Sequence, residues 1–96
     1  MSGPSQPKVE DEQWSDERIA GFLDLKPLDD TNVDYHVLLQ SYQHMTPDFF
    51  SRLVAMFVGA GRDIKAVSLD GETILSRVSA HKSSAAYADI LRSKGA

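Results

Sequence analysis

The chain contains no cysteine. That one absence excludes disulfides, thiolate-ligated metals and cysteine nucleophiles, and it fits a reducing compartment. Long apolar runs are missing too: no segment approaches the ~18 apolar residues that a membrane-spanning helix needs. The first residues, MSGPSQPKVEDEQ, are polar and acidic and lack the apolar stretch of a secretory signal. A cytoplasmic protein is therefore expected. Strand formers gather only at Ile64–Val67, too short a run for a sheet of its own.

What remains is enough for one small domain. The chain has 96 residues, of which 42% are hydrophobic, so it can bury a modest core. Residues 1–13 hold two prolines and a glycine but only Met1 and Val9 as large apolar groups. They cannot bury enough surface to offset their chain entropy, and they are expected to form a disordered tail. Residues 14–96 are expected to form a single helical domain.

Charge is divided unevenly. Residues 1–48 carry three basic and ten acidic groups, whereas residues 49–96 carry seven and four. The whole chain, at −4, has little attraction for phosphate backbones, so nucleic acid is disfavoured as a partner. The C-terminal half taken alone keeps that alternative open.

Helix punctuation is legible along the chain. Ser15 is placed to cap a first helix whose opening turn carries Asp16 and Glu17, at the positive end of the helix dipole. Ile19, Phe22 and Leu23 give it an apolar face, and Trp14 stands where a residue can fold back as a staple. Pro27 forces an end, because it pushes Lys26 out of helical geometry. A second helix is expected from about Asp34 to His44, burying Val37, Leu38 and Tyr42. Thr46-Pro47-Asp48 then forms a strong start for a third. Its many apolar residues, from Phe49 to Val58, predict a central and mostly buried helix ending at Gly61. Thr73 starts a fourth helix with Leu75 and Val78 inward. Ser83 or Ser84 starts a fifth, with Tyr87, Ile90 and Leu91 on its apolar face. The chain is expected to be all-α.

A repeat emerges from these ends. FVGAGRD and ILRSKGA match in kind, and both Phe57–Leu91 and Gly61–Gly95 are 34 residues apart. Each glycine follows an apolar helix, and each of those follows a shorter one. Gly61-Arg62-Asp63-Ile64-Lys65-Ala66 and Asp70-Gly71-Glu72-Thr73-Ile74-Leu75 resemble the helix-turn-helix and finger unit of the ankyrin repeat family. The likeness covers about Phe49 to Ala96. Ile74 stands where the family has proline, Ser76 where it has histidine, and Lys65 where it has asparagine. Most of the chain is also similar to a small uncharacterised bacterial family, mainly from gamma-proteobacteria, which brings no activity with it.

The resemblance implies about two ankyrin-like units with an N-terminal capping helix. It also implies a protein-interaction module without catalytic activity, binding through its finger and the first helices of its units. On that basis Arg62, Asp63, Lys65, Ser68, Asp70 and Glu72 are the expected partner-binding residues, extended by Arg77 and His81. Three of them, Arg62, Lys65 and Glu72, have no evident structural duty. The basic set Arg62, Lys65, Arg77, His81 and Lys82 suits an acidic protein partner if it shares one face, and is otherwise a solvated surface.

Other chemistry finds little support. His36, His44 and His81 form no i, i+4 pair, so no metal site and no cofactor is expected. Asp30-x-Asn32-x-Asp34 opens like a calcium loop, but Tyr35 and Ser41 occupy its essential glycine and glutamate positions. Gly59-Ala60-Gly61 ends a helix, which is the wrong end for a phosphate. A nucleophilic triad has no specific signature here. Nucleic-acid binding by the basic half and a small enzyme or accessory subunit stay open as alternatives, and a monomer is expected.

Overall fold

A computed structural model of the protein describes residues 14–96. The tail expected over residues 1–13 lies outside the described residues. Among these there are five α-helices: α1 (Asp16–Ala20), α2 (Val33–His44), α3 (Pro47–Gly59), α4 (Ile74–Ser79) and α5 (Ala85–Ser93). Short 3-10 turns extend α1 over Gly21–Asp24 and precede α5 at Lys82–Ser84. The described residues contain no strand, only an isolated antiparallel bridge between Val67 and Thr73. The all-α expectation holds.

Local chemistry accounts for most of the helix starts. The Arg18 N–H donates to Ser15 Oγ at 3.1 Å, and the Ser76 N–H donates to Thr73 Oγ1 at 3.1 Å. Asn32 Oδ1 accepts from the N–H groups of Asp34 and Tyr35, so α2 begins one residue earlier than expected. Each such cap satisfies amide donors that have no partner within the helix. Thr46 has the extended backbone of a cap but its side chain makes no capping bond, and Pro47 alone presets the first turn of α3. Ser84 precedes α5 without capping it, because its hydroxyl lies 2.6 Å from Tyr42 Oη instead.

Helices α3 and α5 end in the same way. Gly61 and Gly95 have φ of 77° and 98°, a region that an L side chain enters only with strain. The Gly61 N–H donates to the Val58 carbonyl, and the Arg62 N–H to that of Phe57. Gly95 and Ala96 repeat the pattern on Arg92 and Leu91. These paired bonds form the Schellman motif. Phe57 and Leu91, whose carbonyls accept the second bond at equivalent places, are both fully buried. The 34-residue sequence match is thus a match of backbone geometry.

The core runs without a break through both helix pairs. Val37, Leu38, Phe50, Leu53, Val54, Phe57, Ile74, Val78 and Leu91 are all fully buried. Each such side chain stabilises the fold by about 1.5–3 kcal/mol through removal from water. Helix α3 packs against α1, α2 and α5. It is one-sided rather than buried all round, since Ala55 and Val58 are exposed. On α4 the fully buried pair is Ile74 and Val78, with Leu75 only half-buried. Positions 74 and 78 stack on one face of the helix, and that face meets the core. Between the pairs, Tyr42 and Tyr87 meet edge to face at 5.0 Å, and Tyr87 Oη donates to the Met45 carbonyl at 2.5 Å.

The N-terminal segment covers the outer side of the first pair. Trp14 stacks on Phe22 and Phe49 with centroid separations of 5.9 and 5.3 Å. Ile19 is fully buried. Arg52 reaches across from α3 to the Trp14 carbonyl at 3.2 Å and pairs with Asp16.

Candidate functional site

The loop between α3 and α4 alternates by face: Ile64 and Ala66 are buried, while Lys65 and Val67 are exposed. It then makes a tight turn over residues 68–71. The Gly71 N–H closes this turn on the Ser68 carbonyl at 2.9 Å, and the Ser68 N–H donates to the Glu72 carbonyl at 2.8 Å. Ser68 Oγ accepts from the N–H groups of Asp70 and Glu72, each at 3.2 Å. The turn tip is therefore fixed from inside by one serine. Leu69 projects from it and is 66% exposed, although turn tips favour polar residues.

Across from this tip stands the loop before α2. The Thr31 N–H donates to Asp29 Oδ1 at 2.9 Å, and Leu28 is fully exposed beside it. Hydrogen bonds from the Thr31 side chain and backbone hold the Asp29 carboxyl below its ordinary 3.8.

Between the two loops lies a groove of about 470 Å³, a size within the range of ligand sites. Pro27, Leu28, Tyr35, Leu39 and Leu69 supply its apolar lining. Asp29, His36, Ser68, Asp70, Glu72 and Arg77 supply its polar groups. Among the described residues, the side chains of Asp70, Glu72 and Arg77 make no hydrogen bond or ion pair. Tyr35 is 3% exposed, and its hydroxyl is buried without a hydrogen-bond partner. An unsatisfied buried polar group of this kind costs about 1–3 kcal/mol.

Four of the eight expected partner-binding residues, Ser68, Asp70, Glu72 and Arg77, line this groove. Arg62, Asp63, Lys65 and His81 do not. Arg62 is turned into the structure: its Nε donates to Asp34 Oδ1 at 2.8 Å and its guanidinium to the Leu23 carbonyl at 2.6 Å. The guanidinium also lies 5.3 Å from the centre of the Phe57 ring. The two side chains of the Arg62–Asp34 pair are only 20% and 25% exposed. Arg62 thus has the structural duty that the sequence did not reveal: it ties the N-terminal segment, α2 and the end of α3 together. The Asp63 N–H adds a second bond to Asp34 at 2.9 Å, and Asp63 Oδ1 accepts from the Lys65 N–H at 2.9 Å. Lys65 and His81 are exposed.

The chain matches no family model, no curated protein and no solved structure.

The metal reading of Asp30-x-Asn32-x-Asp34 meets a direct obstacle. Asn32 is engaged in capping α2 and Asp34 is held by Arg62. Among the described residues, no group of three or more His, Cys, Asp or Glu is placed to hold a metal. No described helix is long and apolar enough to cross a membrane.

Sequence reasoning missed Leu28, Asp29, Tyr35 and Leu39. A signal for the first two was present. Leu28-Asp29 and Leu69-Asp70 are 41 residues apart, and so are the caps Asn32 and Thr73. The two loops are counterparts, each placing Leu-Asp just ahead of a capped helix.

Proposed function

We propose that this protein is a partner-docking module, built from two ankyrin-like helix pairs and an N-terminal cap, that binds another protein in the cytoplasm. It acts as a monomer and carries no catalytic activity. The observation that carries this reading is the groove between two matched loops, where exposed Leu28 and Leu69 flank an apolar floor. Isolated surface leucines need no explanation, but two converging on one hollow do. The groove's charged groups surround that floor without bonding to one another, which leaves them available for recognition.

The ankyrin-like interpretation is supported by the duplicated Schellman ends and by the side-chain-capped helix that leads each pair. The capping role of α1 is supported by the Trp14 stack over α3.

The test is capture of partners from a bacterial lysate by the intact protein and by a Leu28→Ser/Leu69→Ser variant. Both leucines are exposed, so the variant should melt as the parent does. Specific partners should disappear with the variant. If every partner persists, the groove is not the docking surface.

A further inference from the structure

The groove is acidic, although the half of the chain that supplies its turn tip is basic overall. Asp29, Asp70 and Glu72 share its lining with Arg77 and the imidazole of His36. The sign differs because Arg62, paired with Asp34, and Lys65 lie outside the groove, while the turn-tip carboxylates Asp70 and Glu72 line it unpaired. An acidic partner, the natural match for the basic residues as a set, would meet like charge here, and like charges brought together at an interface cost affinity.

We propose that the groove binds a peptide segment of a partner protein in which a large apolar side chain is flanked by basic residues. The inference rests on the docking function proposed above and adds the chemistry of the occupant. Leu28 and Leu69 grip the apolar side chain from two sides. The carboxylates of Asp29, Asp70 and Glu72 receive the flanking cations. Arg77 takes one carbonyl or carboxylate of the segment and so fixes its direction.

Selection from a random library of peptides about twelve residues long tests this. The intact protein is the bait, with counter-selection on Leu28→Ser/Leu69→Ser. Enriched peptides should carry net positive charge around a Leu, Met, Phe or Trp. A synthetic peptide of that composition should bind about tenfold more weakly to Asp70→Lys/Glu72→Lys. Its binding should also weaken as salt is raised towards about 1 M. Peptides that are acidic or without charge bias, an affinity unchanged by the Lys substitutions, or no enrichment at all would each overturn the proposal. Binding that is lost with the leucines yet indifferent to charge would leave the docking function standing and remove only the basic occupant. If the leucine substitutions instead abolish only binding of a uridine oligonucleotide, or only concentration-dependent self-association, the groove belongs to RNA or to a second copy, and the peptide proposal fails.

Discussion

The pairs α2–α3 and α4–α5 end on equivalent glycines, yet the residue after each glycine does different work. After Gly61 comes Arg62, which reaches Asp34, Leu23 and the Phe57 ring. After Gly95 comes Ala96, which adds only a half-buried methyl to the core. The first pair is covered by Trp14, stacked on Phe22 and on Phe49 of α3, whereas the end of α5 presents Arg92 and, just beyond the helix, Lys94 to solvent. One backbone motif therefore serves an interior junction in the first pair and a polar outer edge in the second. The lesson is that the helix stop is a local device, whereas the value of the next side chain depends on what packs beside it.

Removing the cover from the first pair should break the comparison most severely. Deletion of residues 1–24 exposes the Phe49 side of α3 and removes Ile19 from the core, so the cooperative melt followed by circular dichroism should be lost. A retained sharp transition would show that α1 is not a cap. Next in size are the matched core positions. Phe57→Ala should cost about 3–5 kcal/mol and Leu91→Ala about 2–5 kcal/mol in urea unfolding, because each leaves a cavity at a fully buried site. A negligible cost at Leu91 alone would mean that the second pair is frayed rather than equivalent.

Arg62 sharpens the difference after the glycines. Arg62→Ala should cost roughly 2 kcal/mol, since it strips a guanidinium from a half-buried carboxylate and from a backbone carbonyl. Ala96→Gly should change stability by much less in the same urea assay. An Arg62→Ala variant as stable as the parent would return Arg62 to the exposed surface.

The smallest effect concerns the seam between the pairs. Burial, and then the neighbouring Tyr42, raises the Tyr87 hydroxyl above its ordinary 10.0. The unfolded chain therefore loses this proton first. Stability from the group is intact below pH 10 and falls as pH rises through the folded value. The melting temperature of Tyr87→Phe should accordingly fall less steeply than the parent's between about pH 9.5 and 11. Parallel curves would place Tyr87 in a more open setting.

Much of the fold was legible because its signals are local. Ser15, Pro47, Gly61, Thr73 and Gly95 act within a turn of themselves, and each acts where the sequence places it. The candidate site was legible only in part. Ser68, Asp70, Glu72 and Arg77 do line the groove, but Arg62, one of the three expected to have no structural duty, is withdrawn. A positive charge beside a turn looks the same in sequence whether or not a carboxylate 28 residues earlier is folded against it. The loop carrying Leu28 and Asp29 reads simply as polar and acidic until its turn is set opposite Leu69.

The sequence by itself determined the helical class, the helix ends and the spacing of the two pairs, because capping, proline and glycine effects need only neighbouring residues. Tertiary structure alone decided which charges remain free and which leucines converge. Those outcomes depend on contacts between segments 28 to 41 residues apart. Burial turns Arg62 into a structural tie and leaves the opposite sign of charge at the groove.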